Sequence, residues 1–315
     1  MRRAQLLKLL LSVVILFITL AVVEYQIGWY SLLTSWQGFS GATLALLVVL
    51  SLASNALRAL RIKVSFALPA SRYPQMFYLS TNHNLLNNLL PMRTGEVAFP
   101  VLIKRYFGIG VVNSSSHLLL YRLLDLVALL SVAGILALWQ FSPWASLGLA
   151  LVTVVGLLLF NQGKRLVVWL LGHSNSAKLA TLAQAFHDLP TRGGHFGAIV
   201  ITTYAVWLTK LLAFLGVVLQ LSQLTLAQAV TSVAVADLSS ILPIHGVAGS
   251  GTFEAAFVLA GQFYTIDTTA LLKVAVQLHL FLLLMSFIAF GLGWLVAKIF
   301  HHEEPLQATI ERAVD

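Results

Sequence analysis

Residues 87–99, NNLLPMRTGEVAF, set a proline, an arginine, a glycine and a glutamate between two apolar stretches of a chain that is 59% hydrophobic. Proline removes a backbone donor and disfavours helix in the residue before it. Glycine permits the chain to reverse. A helix that enters this stretch must therefore stop and turn.

The surroundings are of a membrane kind. Only 10% of the 315 residues are charged, against about 25% in a soluble domain. Apolar runs at about 6–23, 40–57, 112–138, 145–160, 196–220 and 269–297 approach the length that crosses a hydrocarbon core of ~30 Å. Two further segments, 73–107 and 225–265, are apolar but broken in the middle. The pattern predicts an all-α polytopic membrane protein of about six transmembrane helices plus two broken helical hairpins. The first run follows Arg2, Arg3 and Lys8 without a small-residue cleavage site, so it reads as a retained anchor. No cysteine is present, which excludes a disulfide frame, a thiolate metal site and a thiol nucleophile. The sequence shows no phosphate loop, Gly-x-Ser-x-Gly or zinc-helix pattern, and we expect no enzyme activity, cofactor or metal.

The net charge of +8 is a topology signal. Of the 19 Lys and Arg, 15 lie in the termini and in 58–72, 104–105 and 161–195, while 24–40, 139–145 and 221–268 contain none. Basic loops stay cytoplasmic, so both termini are expected inside, and no nucleic-acid partner is needed. In the longest such connection, KRLVVWLLGHS (164–174) reads as an amphipathic stretch at the interface or docked on the bundle. The other four cations, Arg93, Arg122, Lys210 and Lys273, fall at membrane depth, with Lys273 nearest the outer interface. They balance Glu96, Asp125, Asp237 and Glu254.

Residues 239–257, SSILPIHGVAGSGTFEAAF, repeat the grammar of the opening stretch. Glu96 and Glu254 stand 158 positions apart, as do Phe99 and Phe257; Leu90-Pro91 and Leu242-Pro243 stand 152 apart. Two helices precede each broken segment and one follows it, with opposite starting sides. The whole chain thus reads as one membrane domain, with a first repeat at 1–140, a second, inverted repeat at 141–300 and a cytoplasmic tail at 301–315. Paired discontinuous helices in inverted repeats commonly build transporter sites near the midplane. Each broken segment is best read as a re-entrant helical hairpin; the alternative is two spanning helices joined by a tight loop.

The second half of each hairpin opens near Thr94–Glu96 and Ser250–Glu254, and a helix start attracts anions. Arg93 and His245 adjoin these starts, and Gly246, Gly249 and Gly251 would admit a headgroup to the backbone. Alternatively the glutamates only complement their helix dipoles. Arg122 and Asp125, three apart on one helical face, are expected to pair with each other or with Glu96. For Lys210 the candidate partners are Asp237 and Glu254. Asn82, Asn84, Asn87 and Asn88 approach the first turn, either bonding its backbone or facing a polar substrate.

NLLPMRTGE (88–96), LIKRYFG (102–108), YRLLD (121–125) and LPIHGVAGSGTFE (242–254) together resemble the transmembrane region of lysylphosphatidylglycerol synthase/flippase proteins and the stand-alone flippase-like proteins related to them, over about Leu6 to Lys298. The resemblance implies a protein of the bacterial inner membrane that moves an amphipathic lipid between leaflets, or helps to. By motif position it implicates Asn88, Pro91, Arg93, Gly95, Glu96, Arg105, Arg122, Asp125, Pro243, Gly249, Gly251 and Glu254. No soluble aminoacyl-transferase domain accompanies these motifs, so lysyl transfer is not expected. The function expected is a flippase or lipid-phosphate transporter with membrane lipids as partners. The alternatives are an intramembrane lipid transferase, and a non-catalytic partner of an envelope glycosyltransferase or lipid-modifying complex. Accessibility labelling is expected to find 91–96 and 243–254 on opposite sides of the membrane; exposure of both on one side would refute the inverted arrangement.

Overall fold

Inside a bilayer every peptide group must find its partner within the protein, and the apolar runs accordingly become helices. The computed structural model describes residues 3–90, 95–173, 176–189, 191, 193–239, 247–264 and 266–300, and no strand occurs among them. Pro91, Arg93, Pro243 and His245 lie outside the described residues. The helices are α1 (Arg3–Gln26), α2 (Trp29–Ser35), α3 (Gly41–Ser65), α4 (Tyr73–Leu89), α5 (Ala98–Phe107), α6 (Val111–Trp139), α7 (Pro143–Gly172), α8 (Ala177–His187), α9 (Gly193–Leu221), α10 (Leu226–Ser239), α11 (Thr252–Gln262) and α12 (Thr268–Ile299). By length and composition α3, α6, α7, α9 and α12 suffice to cross a membrane among the described residues; the pair Ser12–Gln26 and Trp29–Gly38, bent by 75°, is either a broken sixth span or a re-entrant loop.

Polar residues set the helix starts. Ser40 accepts from Thr43 N at 3.1 Å, Ser142 from Ala145 N at 3.3 Å and Asp267 from Ala270 N at 2.7 Å, each satisfying a donor that the first turn leaves free. Gly108 ends α5 in the left-handed region, which glycine enters without a Cβ penalty.

Two helices run further than the hydropathy predicts. Helix α3 continues through Arg58, Arg61 and Lys63 to Ser65, so this cluster is helical and not a loop. Helix α7 absorbs residues 164–172 as a direct continuation of its span, where the sequence pointed to a separate interfacial stretch. At 30 residues it is roughly 45 Å long, more than the ~30 Å core requires. Its Lys164 Nζ bonds His187 O at 2.9 Å and Leu189 O at 3.0 Å, tying the extension to the chain after α8. Within α7 only Ser146 is buried, and the exposed leucines and valines of its other faces suit a lipid environment.

The order long helix, broken pair, long helix occurs twice. Gly41 of α3 and Gly193 of α9 stand 152 positions apart, the spacing of the two Leu-Pro pairs. Helices α3 and α9 lie along each other, and Ser54 Oγ donates to Val206 O at 3.0 Å, so partners 152 positions apart touch. Helix α4 packs on α12, and α10 packs on α6. Each broken unit is therefore held by a long helix of the other half. One apolar cluster joins Phe77, Leu79, Phe99 and Ile103 of the first broken unit to α3 and α6. Another joins Val233, Phe253 and Phe257 of the second to α9 and α12.

Small residues permit these approaches. A Cβ on Gly95 would lie 2.5 Å from Asn87 N and from Leu86 C, so the chain can fold back against α4 only without one. On α12 a Cβ at Gly293 would collide with Thr81 Oγ1 and sit 3.2 Å from Tyr78 Cα, whereas Gly291 faces open space. Gly293→Leu is expected to separate α12 from α4 and to cost about 1–3 kcal/mol in detergent melts. Gly291→Leu should cost nothing; equal losses from both would refute this packing.

Candidate functional site

Beside the second of the two apolar clusters, walled by its Trp207, Phe214, Phe253 and Met285, lies a cavity of about 330 Å³. Helix α3 gives it Ser51, Ser54, Asn55 and Arg58, spaced i, i+3, i+4 and i+7, which is one face of a helix. Helix α4 adds Asn84, Asn87 and Asn88 by the same spacing, and α6 adds Arg122 and Asp125. From the other half come Trp207 and Lys210 of α9, Asp237 of α10, the turn at Ala248–Gly249, and His279 and Ser286 of α12. Polar stripes on otherwise apolar helices thus turn towards one another.

The charges are paired with care, as desolvation demands. Arg61 reaches Asp125 with Nη1–Oδ1 at 2.6 Å and Nη2–Oδ2 at 3.4 Å, and also donates to Thr203 Oγ1 at 3.1 Å. Its guanidinium lies 4.4 Å from the centre of the Tyr121 ring. Trp207 Nε1 donates to the same carboxylate at 3.0 Å. Arg122 pairs chiefly with Glu96, Nη2–Oε1 at 2.6 Å and Nε–Oε2 at 3.2 Å, and stands 3.7 Å from Asp125. Lys210 Nζ contacts both oxygens of Asp237, at 2.9 and 2.7 Å. Lys273 bonds Ser31 Oγ at 2.9 Å, away from the cavity.

Arg58 differs. It lines the cavity, and among the described residues no hydrogen bond or ion pair within 4 Å engages its guanidinium. Arg58 and Lys210 are 152 positions apart, so they correspond in the two halves. Lys210 has Asp237; the residue 152 positions before Asp237 is Leu85, which is buried and apolar. Lys210 thus has an ion pair of its own, whereas Arg58 feels the Asp125 and Asp237 carboxylates only at longer range. The balanced set of deep charges expected from the sequence therefore changes: Arg58 and Arg61 join it, and Lys273 stands outside the cavity.

Both broken units are fastened by histidines. In the first, Arg122 Nη2 is 3.5 Å from His83 Nε2. Since arginine only donates, His83 carries its proton on Nδ1 and gives it to Gly95 O at 3.3 Å. In the second, His279 Nδ1 lies 2.6 Å from Glu254 Oε1 and Nε2 lies 2.8 Å from Ala248 O. The other Glu254 oxygen accepts from Gly251 N at 2.8 Å, closing the first turn of α11.

Of the residues singled out in the sequence, Asn88, Arg122, Asp125, Lys210, Asp237 and Gly249 share the cavity. Gly95 and Glu96 stand behind Arg122, and Glu254 behind His279. Gly251, with φ +83°, faces Ile15 and Thr19 of α1. Arg105 is exposed in the last turn of α5 and takes no part in the cavity; a cation there complements the helix C-terminus. Asn84 Nδ2 reaches Asn55 Oδ1 at 3.5 Å and Asn88 Nδ2 reaches Ser286 Oγ at 2.8 Å, so both bond other cavity side chains. Arg58, Arg61, His83 and His279 escaped the sequence reading. The stripe Ser51, Ser54, Asn55, Arg58 carried the signal for the first. Among the described residues no three His, Cys, Asp or Glu side chains come together as a metal would need.

The family model for the lysylphosphatidylglycerol synthase TM region matches residues 5–307. No curated protein and no solved structure matches the chain.

Removing one partner of a buried ion pair strands the other, at about 3–5 kcal/mol. Arg61→Ala and Asp125→Ala are each expected to lose that much stability, while the double variant loses clearly less than their sum. Additive losses would show that the pair does not hold the helices together.

Proposed function

The chain belongs to the lysylphosphatidylglycerol synthase TM region family, multi-pass membrane proteins linked to lipid metabolism or transport, and from that premise we propose that it moves an anionic lipid between leaflets, its headgroup passing through the cavity. The observation that carries this reading is Arg58, which lines the cavity together with Lys210 and, among the described residues, has no ion pair within 4 Å. A lone cation in such a place is expensive, and an anionic headgroup would compensate it. The cavity's volume of about 330 Å³ falls in the range of small-ligand sites, roughly 300–1,000 Å³. Asparagine and serine side chains offer donors and acceptors to the rest of the headgroup, and the acyl tails stay in lipid.

Two features support alternating access. The halves correspond at a fixed spacing and interlock around α3 and α9, as an inverted-topology repeat does. The two broken units contribute to the cavity from separate halves, so tilting one half against the other would change which of them guards it. On this reading both termini lie in the cytoplasm and the protein in the bacterial inner membrane. On this reading the chain carries out no lipid chemistry.

A charge-assisted hydrogen bond is worth about 1.5–3 kcal/mol, so Arg58→Gln and Lys210→Gln should each slow translocation of an acyl-labelled anionic phospholipid by roughly 10–100-fold. Reconstituted vesicles with a membrane-impermeant quencher measure this. The Arg58 variant should melt like the parent, because it loses no partner. Undiminished transport by both variants would sink the headgroup assignment. Chemically altered lipid would favour a transferase, and inactivity of the pure chain with a constant companion in pull-downs would favour a partner role.

A further inference from the structure

We propose that Glu254 and His279 hold one exchangeable proton that crosses the membrane together with the anionic headgroup, making the protein a proton–lipid symporter; this rests on the transport reading above. The argument begins with hydrogen-bond chemistry. A carbonyl oxygen only accepts, so His279 Nε2, 2.8 Å from Ala248 O, carries a hydrogen. His279 Nδ1 and Glu254 Oε1 are 2.6 Å apart, a separation that requires one proton between them. Whether that proton sits on nitrogen or oxygen, the loaded pair has net charge zero. Its loss leaves a neutral imidazole beside a carboxylate, with net charge −1 and two lone pairs facing each other.

The setting connects that proton to the cavity. Both side chains are 7% exposed, yet His279, Ala248 and Gly249 form part of the cavity wall. The wall is backbone under tension: Ala248 has φ 58°, and Gly249 and Gly251 follow at 79° and 83°. A residue with a Cβ in that region is unfavourable, and the bond from His279 Nε2 helps to hold it. Phe253 stacks on the imidazole at 4.6 Å. Release of the proton repels Glu254 from His279 and loosens the grip on the 247–251 turn.

The sense of coupling follows from charge. Among the described residues the other charged groups lining this cavity are Arg58 of α3, Arg122 and Asp125 of α6, Lys210 of α9 and Asp237 of α10. Helix α1 brings uncharged Ile15 and Thr19 to Gly251, α4 brings asparagines, and Lys273 of α12 is bonded to Ser31. Arg122, Lys210 and Asp125 are committed to ion pairs, so the proton on the Glu254–His279 pair decides the net charge that a headgroup meets. A deprotonated pair would oppose an anion and a protonated pair would not. By linkage each then favours binding of the other, and both travel the same way.

Phosphatidylcholine vesicles containing the intact protein and a trace of acyl-labelled phosphatidylglycerol test this, with the membrane potential clamped and the lumen made one pH unit more alkaline. Label should accumulate in the inner leaflet, towards a limit of ~10-fold for one-to-one coupling, and reversing the gradient should reverse it. Glu254→Gln and His279→Gln should show no bias. Movement blind to the gradient in the parent, or directed against proton flow, would overturn the symport and leave lipid transport standing. A folded parent that moves no label under any gradient would overturn both. The parent's own response decides the matter if a variant fails to fold.

Discussion

A bilayer does not solvate ions, so a charge in its interior calls for an answering group, and the arrangement of these helices follows from where most of those answers lie. Asp125 is the centre of the matter. It takes Arg61 from α3, approaches Arg122 one turn before it on α6, and accepts from Trp207 on α9. Three long helices are thus pinned at one carboxylate. Arg122 in turn grips Glu96, which fixes the start of the second half of the first broken unit. Lys210 and Asp237 do the same between α9 and α10. Such pairs add little net stability over apolar packing. They do specify which face of each helix turns inward, and a bundle of nearly uniform apolar helices has few other means of doing so.

Broken helices pose a second problem, since they leave backbone groups without intrahelical partners. Both halves answer with a histidine from a neighbouring helix. His83 of α4 donates to Gly95 O, and His279 of α12 donates to Ala248 O. The close return of the chain at Gly95 and the left-handed run at Ala248, Gly249 and Gly251 are the geometries such breaks require. Irregular backbone survives at this depth where protein buries it or where it lines a polar cavity, and the Ala248–Gly249 turn does line one.

Much of this was legible in the sequence because hydropathy and Pro/Gly punctuation are local signals. The long helices and the two broken segments each come from residues within one window, and the spacing between the halves from comparing two such windows. What was hidden depends on distant partners. Arg58 and Arg61 sit at the end of an apolar run, where counting positive charges assigns them to a loop. They are inside because Asp125, 64 positions away from Arg61, makes burial tolerable, and because the polar stripe from Ser51 to Arg58 faces a cavity. The same stripe shows the remedy: polar residues at helical spacing within an apolar run announce an inward face. His279 had no local signal, but it follows Glu254 by 25 positions as Arg122 follows Glu96 by 26. The register differs by one, since the offset of 158 sets Arg122 opposite Leu280, so the correspondence between the halves points to the neighbourhood of His279 and not to the residue. The extension of α7 past the hydrocarbon was missed for a different reason, since leucine, valine and tryptophan favour an interfacial stretch and a protruding helix alike.

The correspondence between the halves is most informative where it fails. A chain with perfect repeats would set a cation–carboxylate pair at both 58/85 and 210/237, and its cavity would be neutral at every stage. Here position 85 is a buried leucine, so Arg58 has no ion pair within 4 Å among the described residues and feels Asp125 and Asp237 only at longer range. The second departure lies at the glutamates. Glu96 meets an arginine, whose charge is permanent, whereas Glu254 meets a histidine, whose charge depends on a proton. Both differences bear on the same cavity. The shared order of helices builds its frame, and these unequal residues make its two sides chemically different, because a guanidinium and an imidazole hold a carboxylate by different hydrogen-bond chemistry.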